Sequence, residues 1–345
     1  MSYGKSYNFR LYDPDRKNRF LNEKYPNDLT RATYTSLLKA VGKFKRDKNK
    51  DVCDFSYAEA TELLIGLGKK TFRSIDVAHT IILKYGDWCL DEKYNKTGVN
   101  IFKLFTKDDL KQYINQVAQK NSYITRDEMY DYCSQIYNYI DKSMIALLFE
   151  GLRGRSDIEH SFEELRNFKK SDIYPEANMI IATRDADENK QSQIRPVSVD
   201  PRTIEILITA CKEDTYHKSN GEATGKFAIA PIKNSPYLIR TIEKLSTNDD
   251  DRIAVGNICS RFKNFRKYTG IKYLTPTLIF QSGMLYRCLK MEEEIGEELK
   301  PENFRQLFND LLLDERNWSG LKEMYESYKQ NKSIVLESAA PYPER

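Results

Sequence analysis

One short region departs from the helical pattern that runs through most of this chain. NMIIAT (178–183) and IRPVSV (194–199) are β-branched runs on either side of the polar stretch RDADENKQSQ. Two such runs joined by polar residues are typical of a β-hairpin with a long turn. GKFAIAP (225–231) is a further candidate for a short strand. Because apolar residues recur at helical spacing before and after this region, we predict a mainly α-helical protein with a small β-hairpin or sheet.

The domain organisation follows from length and from local helix signals. A chain of 345 residues is long enough for two domains with separate cores. Thr125 with Glu128 three residues later is a capping box, and it opens a second unit. We expect an amino-terminal arm at 1–25, a helical domain at 26–120, a mostly helical domain with the hairpin at 124–330, and a tail at 331–345.

The composition argues against several classes of protein. Its 40% hydrophobic and 31% charged residues are typical of a folded chain rather than of disorder. No apolar run approaches the roughly 20 residues that a membrane span needs, and the polar start MSYGKSYNFR lacks a secretory signal. Six cysteines without CxxC spacing and three histidines predict reduced thiols in a cytoplasmic protein, with no metal site and no cofactor.

Basic residues are concentrated near the start of the chain. Residues 1–50 contain 13 Lys/Arg against 5 Asp/Glu, an excess of 8, whereas the whole chain carries only +4. Such an asymmetry favours a polyanionic partner, with nucleic acid as the first candidate. A solvated basic face is the alternative, and charge alone does not separate the two.

Several segments together resemble the catalytic domain of tyrosine recombinases, the phage-integrase class. IALLFEGLRG (145–154) resembles the helix and turn that carry the family's first catalytic arginine, and FEELRNFKKSDI (162–173) resembles the segment after it. The hairpin has the position of the one whose turn holds the catalytic lysine. NICSRFKNFRKYTGIKYLTP (257–276) resembles the basic helix that leads to the second catalytic box. The resemblance implies an α+β catalytic-type domain after a helical core-binding domain, with double-stranded DNA as the partner.

Two of the family's catalytic positions have alternative counterparts in this chain. Arg153 matches the first arginine, and Ser161 is the competing match because GRSDIEHS is inserted before FEEL. Lys190 is available for the hairpin lysine, while Arg184 is closer to its usual position.

The second box and the nucleophile differ more from the family. Directly after LTP the family has His-x-x-Arg, and these places are Thr277 and Phe280 here. The histidine manages protons and the arginine stabilises charge on the scissile phosphate, and neither Thr nor Phe does this. Trp318 followed by Tyr325 or Tyr328 corresponds to the family's ending, although both tyrosines are better explained as ordinary helix residues. We therefore predict a degenerate site, no catalytic residues and no enzymatic activity.

The segment ITRDEMYDY…YIDKSMIALLFEGLRG closely resembles the lysogeny-maintaining repressors of SPbeta-like Bacillus phages. That resemblance implies a sequence-specific repressor of lytic genes that occupies operators in the bacterial nucleoid. An active recombinase with a divergent site is the first alternative, and a protein-interaction module on the same scaffold is the second. Self-association through the C-terminal helices (303–330) and a regulatory protein or peptide are further expected partners.

The predicted basic amphipathic helix RIAVGNICSRFKNFRKYTG (252–270), ended by Gly270, is the strongest candidate for DNA contact. Ile258, Phe262 and Phe265 form its predicted buried face, and basic side chains occupy the rest. Arginine in a major groove can read guanine edges. The full set of predicted DNA-binding residues is Lys43, Lys45, Arg46, Lys69, Lys70, Arg73, Arg153, Arg155, Lys190, Arg195, Arg261, Lys263, Arg266, Lys267 and Arg287.

Overall fold

The computed structural model divides into two compact units, Met1–Lys120 and Asn121–Arg345. It describes residues 11–45, 50–69, 71–114, 123–154, 161–186, 191–243, 251–314 and 317–338, with backbone only for 29, 43, 45 and 331–338. Within these ranges no helix is long and apolar enough to cross a membrane. The same ranges contain no group of three or more His, Cys, Asp or Glu side chains that could hold a metal ion.

The first unit is helical. Its helices are α1 (Pro14–Lys24), α2 (Asp28–Lys45), α3 (Tyr57–Gly66), α4 (Phe72–Asp91) and α5 (Lys107–Gln112). Ser56 and Thr106 start α3 and α5 with capping boxes, in which side chain and backbone satisfy each other's free groups. Tyr85 and Trp88 of α4 lie at the centre of the core.

Helix α1 corrects the expectation of an arm at residues 1–25. Phe20 and Leu21 are buried in the core of the first unit. Lys17 is also fully buried. Its charge is compensated there, because Nζ is 2.9 Å from Asp51 Oδ2 and 2.8 Å from the carbonyl oxygen of Tyr12. Residues 14–24 are therefore an integral helix of this unit, and the prediction was wrong there.

The second unit is mostly helical with two small antiparallel sheets. Its helices are α6 (Arg126–Ser134), α7 (Tyr139–Phe149), α8 (Glu163–Asn167), α9 (Pro201–Lys212), α10 (Val255–Tyr268), α11 (Pro276–Ile295), α12 (Pro301–Asp310) and α13 (Trp318–Ser338). Its strands are β1 (Ile173–Tyr174), β2 (Met179–Arg184), β3 (Gln193–Ser198), β4 (Thr215–His217) and β5 (Ile229–Pro231). The predicted mainly α-helical fold with a small sheet is confirmed.

The predicted hairpin is formed by β2 and β3. Their register runs from Met179 opposite Ser198 to Arg184 opposite Gln193, and β1 extends the sheet on the other edge of β2. Along β2 every second side chain is buried, which is the alternation expected of a strand with one face on a core. Strands β4 and β5 form a separate pair.

Helix α7 is the central element of the second unit. Its side chains from Ser143 to Phe149 are all buried. Helix α11 crosses it closely at Gly283, where a Cβ atom would lie 1.7 Å from the carbonyl oxygen of Phe149. This approach, which requires glycine, brings the start of α11 beside the turn that follows α7.

The C-terminal helices pack on α11 of the same chain. Phe304 of α12 and Tyr325 of α13 share an apolar cluster with Phe280 and Met284 of α11. Helix α13 continues to Ser338, so residues 331–338 are helical and the expectation of a tail from 331 is corrected for them. Self-association through 303–330 stays a prediction.

Candidate nucleic-acid interface

A buried carboxylate, Glu164, organises the turn after α7. It accepts hydrogen bonds from Arg184 Nε (2.8 Å) and from Arg195 Nη2 (2.8 Å) and Nε (3.0 Å). The same carboxylate accepts the backbone N–H groups of Arg153 (3.0 Å) and Gly154 (3.2 Å). One side chain thus connects both strands of the hairpin to the turn that carries Arg153.

The two hairpin arginines are structural. Arg184 also donates to the carbonyl oxygens of Leu311 (3.0 Å) and Leu312, and Arg195 donates to that of Gly151 (2.9 Å). Arg184 and Arg195 are 3% and 5% exposed. The prediction that Arg195 contacts DNA is therefore wrong for this conformation, because the guanidinium is enclosed by the protein. Arg184, the alternative for the hairpin lysine, is enclosed in the same way.

Arg153 differs from its neighbours. It is half-buried, and its Cζ lies 5.3 Å from the centroid of the Phe280 ring. Among the residues that the structure describes, no carboxylate lies within ion-pairing distance of its guanidinium. Burial without a counter-charge lowers the pKa of Arg153. A partly desolvated cation that lacks an internal partner is suited to bind an external anion.

Arg287 has an internal partner. Its Nη2 donates to the backbone carbonyl of Glu150 (2.9 Å) and lies 3.4 Å from the Glu150 carboxylate, which Arg126 also approaches at 3.6 Å. Burial lowers the pKa of Arg287, and the Glu150 charge opposes this effect. Arg287 therefore binds the start of the turn that carries Arg153, through Glu150.

The start of α11 carries the two residues that the sequence predicts at the positions of the family's second catalytic box. Thr275 accepts the backbone N–H of Leu278 (3.1 Å) and caps the helix, and Pro276 occupies its first position. Thr277 is exposed, whereas Phe280 is 6% exposed and lies in the apolar cluster with Met284. Neither Thr277 nor Phe280, the residues predicted at the family's His and Arg positions, can ionise near neutral pH.

On helix α10, the structure corrects the prediction made for Arg261. Arg261 Nη1 is 3.0 Å from Asp141 Oδ1, and its Nη2 is 2.5 Å from the carbonyl oxygen of Arg240. This ion pair is almost completely buried, so the Arg261 guanidinium is enclosed by the protein, contrary to the prediction that it contacts DNA. Arg266 is half-buried, with Nη1 3.4 Å from the Leu274 carbonyl.

The exposed face of α10 is narrower than predicted. Gly256, Ser260, Lys263 and Lys267 are all exposed and follow one another at helical spacing. Within the described residues neither lysine has an ion-pair partner. The stripe begins with the small residues Gly256 and Ser260 and ends with the two lysines. At the small-residue end, the backbone of α10 can approach a partner closely.

The two candidate nucleophiles are packing residues. Tyr325 is 3% exposed, and its ring centroid lies 5.5 Å from that of Phe304. Burial raises the pKa of Tyr325, which disfavours the phenolate. The Tyr328 ring packs edge-on against Tyr123 at 4.9 Å. Trp318 begins α13 and stacks near Phe304.

Several predicted residues stay predictions. Lys69 is half-buried after α3 and Arg73 is exposed in the first turn of α4, whereas Ser161 lies half-buried in the turn before α8. The side chains of Lys43 and Lys45, and the whole of Arg46, Lys70, Arg155 and Lys190, lie outside the described residues. Sequence reasoning missed Glu164 and Glu150 because their partners lie far along the chain. The adjacent acids in FEEL were the only local signal.

A helical unit followed by a mostly helical unit with small antiparallel sheets is a two-domain architecture like that of the tyrosine recombinases. Residues 123–335 match the family described as "MrpR, C-terminal catalytic domain", and residues 11–91 match "MrpR, N-terminal core-binding domain". The chain therefore belongs to the MrpR family.

One relative and two solved structures illustrate the similarity. The chain is 25% identical over 282 residues to the SPbeta prophage-derived uncharacterized protein YopR of Bacillus subtilis (strain 168). The aligned region covers 81% of this chain and 83% of YopR. XerA recombinase is 12% identical with a TM-score of 0.37, and covers 95% of this chain and 100% of its own. The Tn1549 transposon integrase in complex with circular intermediate DNA is 12% identical with a TM-score of 0.45. This match covers 92% of this chain and 98% of the integrase chain.

Proposed function

We propose that this protein is a non-catalytic, sequence-specific DNA-binding repressor that occupies operators of phage lytic genes and thereby maintains lysogeny. The observation that carries the proposal is the burial of Phe280, predicted at the family's second-arginine position, beside Arg153, which has no ion-pair partner among the described residues. YopR, the relative above, is a prophage-derived protein, which supports a phage context.

The chemistry of the site favours binding without strand transfer. Phosphoryl transfer needs groups that move protons and groups that stabilise charge on the reacting phosphate. Thr277 and Phe280 supply neither, and Tyr325 and Tyr328 are engaged in packing. Arg153 alone can hold a phosphate but cannot make the sugar oxygen a leaving group.

Affinity for DNA does not require these lost groups. Contacts of basic side chains with phosphates supply most of the binding free energy, and base-edge contacts supply sequence preference. In the second unit we assign phosphate contact to Arg153 and groove contact to the exposed stripe of Lys263 and Lys267. The basic residues of the first unit, Lys69 and Arg73 among them, add phosphate contacts. The protein would act in the cytoplasm on the nucleoid.

The test uses purified protein and fragments of the genome that encodes it, run on native and on denaturing gels. A fragment-selective shift that disappears under denaturation is expected, because occupation of an operator is reversible. A band that resists denaturation on a nicked fragment would establish covalent chemistry and the divergent-recombinase alternative. No shift at any moderate salt concentration would favour the protein-interaction alternative.

Tyrosine variants make the same test specific. Tyr328→Phe and Tyr325→Phe remove only a hydroxyl, so both should keep the fragment-selective shift at unchanged affinity. If wild type forms an adduct that either variant loses, the proposal of a degenerate site is wrong.

A further inference from the structure

A cleft on the second unit, away from the turn of Arg153, is lined by residues with no role in the proposed DNA contact. It has a volume of about 500 Å³ and lies between the turn that joins α6 to α7 and the segment that enters β4. The side chains that matter for its chemistry are Tyr137, Tyr139, Lys142, Asp214, Thr215 and His217.

The walls of this cleft are held rigidly. Asn138, at the start of α7, makes no cap for its own helix but binds both backbone groups of His217, at 2.8 Å and 2.9 Å. The cap comes from Glu213, whose carboxylate accepts the N–H groups of Tyr139 (3.0 Å) and Ile140 (2.8 Å). A binding site with such fixed walls loses little entropy when it is occupied.

Two oppositely charged side chains line the cleft, those of Lys142 and Asp214. Lys142 Nζ lies 4.1 Å from the centroid of the Tyr139 ring, and Asp214 is exposed. Within the described ranges neither charge has an ion-pair partner. Tyr137 is 51% exposed, and its ring centroid is 4.5 Å from that of His217. Exposed tyrosine of this kind is enriched where proteins bind one another.

One edge of β4 is open at the cleft. The hydrogen bond from Ile232 N to Asp214 O, and that from Lys218 N to Ala228 O, set the pairing of β4 with β5. Since such bonds alternate along an antiparallel ladder, the backbone groups of Thr215 and His217 point to the opposite edge. Asn138 satisfies those of His217, whereas in the described part of the chain those of Thr215 have no partner. An open N–H and C=O pair is a template for an added strand.

We propose that this cleft binds a short extended peptide segment that carries one cationic and one anionic side chain. Its backbone pairs with Thr215 on the open edge of β4, its cation faces Asp214, and its carboxylate faces Lys142. Side chains two positions apart on an extended segment project from the same face, so a peptide of three residues presents both charges together. The rings of Tyr137 and Tyr139 flank this peptide. The proposal goes beyond the proposed repressor function and does not depend on DNA binding.

The test is a titration of full-length protein with blocked tripeptides, followed by saturation-transfer NMR. The probe is acetyl-Arg-Val-Glu-amide, compared with acetyl-Gln-Val-Gln-amide, which lacks the charges. A third peptide, acetyl-Arg-Pro-Glu-amide, lacks the central N–H needed for strand pairing. Saturable binding of the first peptide is expected, with at least fivefold weaker binding of the other two. Equal binding of all three peptides, or no saturable binding of the first, would overturn the proposal.

Variants assign the binding to this cleft. Lys142→Gln and Asp214→Asn should each weaken binding of the charged tripeptide at least fivefold while the thermal unfolding midpoint stays unchanged. Lys212→Gln and Glu205→Gln alter exposed charges on α9 that do not line the cleft, and both should bind like wild type. If the cleft variants bind the peptide normally but change the mass of the protein in solution, the occupant is a second copy of the chain and the peptide proposal fails.

Discussion

The guanidinium carbon of Arg153 lies 5.3 Å from the centroid of the Phe280 ring. The contact presents an apolar ring to Arg153 at the position that the sequence predicts to match the family's second arginine, and within the described residues Arg153 has no ion-pair partner. A cation held over an aromatic face is stabilised while it keeps its charge for an incoming phosphate. Under the function proposed above, this relationship would let the turn after α7 contact a DNA phosphate without taking part in catalysis.

Phe280→Arg tests this relationship directly. A second guanidinium would be buried beside Arg153 in the apolar cluster of Met284, so we expect the free energy of unfolding to fall by about 3 kcal/mol. Phe280→Leu, which keeps the site apolar, should cost less than about 1.5 kcal/mol. Urea denaturation measures both. A Phe280→Arg protein as stable as wild type, and able to form a covalent DNA adduct, would contradict the account of the site.

Arg153→Gln should weaken DNA binding but leave stability almost unchanged. The guanidinium makes no ion pair within the described residues, so apart from its contact with the Phe280 ring its loss removes only the external contact. We expect lower affinity on every sequence and a salt dependence whose slope is smaller by about 1. Binding titrations at several salt concentrations measure this slope. Lys290→Gln, which alters an exposed lysine paired with Glu294, is the control and should retain the wild-type slope.

Helix α10 contains two kinds of cation that should behave in opposite ways. The double substitution Lys263→Gln with Lys267→Gln should reduce the salt slope by about 2 without loss of stability, because both lysines are exposed. Arg261→Gln should instead lower the free energy of unfolding by roughly 3–5 kcal/mol, because it leaves the buried Asp141 carboxylate unpaired. Affinity and urea denaturation measured on the same preparations separate these effects. If the Arg261→Gln protein has normal stability and reduced operator affinity, Arg261 contacts DNA and the structural role is wrong.

Glu164→Gln should destabilise the second unit. The substitution removes the charge that Arg184 and Arg195 share in a buried setting, and such a loss costs about 3–5 kcal/mol. Glu205→Gln, at an exposed position of α9, should change stability by less than about 0.5 kcal/mol. Equal denaturation midpoints for the two variants would show that Glu164 does not hold the hairpin and the turn together.

The first unit should lose stability in acid partly through Glu59. Partial burial acts to raise the pKa of Glu59, but hydrogen bonds from Lys50 and from the backbone and side chain of Ser56 prevail and lower the pKa to about 2, from 4.5. A lowered carboxyl pKa stabilises the folded state above the unfolded pKa, and this stability is lost as pH falls toward the folded one. Thermal unfolding of Glu59→Gln should therefore depend less on pH between about 4.5 and 2. Unchanged pH dependence would exclude this contribution.

Elements with local causes could be predicted from the amino-acid sequence. The Thr125–Glu128 capping box starts α6 as expected, and the β-branched runs pair as β2 and β3. The apolar residue at position 280 is also a property of the sequence alone. Capping and periodicity act over a few residues, so they can be recognised without the fold.

Which cations remain available to a partner depends on the folded structure. Arg261 and Lys263 look equivalent in the sequence, but Arg261 pairs with Asp141, 120 positions away. Arg195 likewise binds Glu164, 31 positions away, and Lys17 binds Asp51, 34 positions away. The second contact is part of the reason why residues predicted as an arm form a core helix. Burial of a charge depends on partners that folding brings together, and no local pattern reports where those partners are.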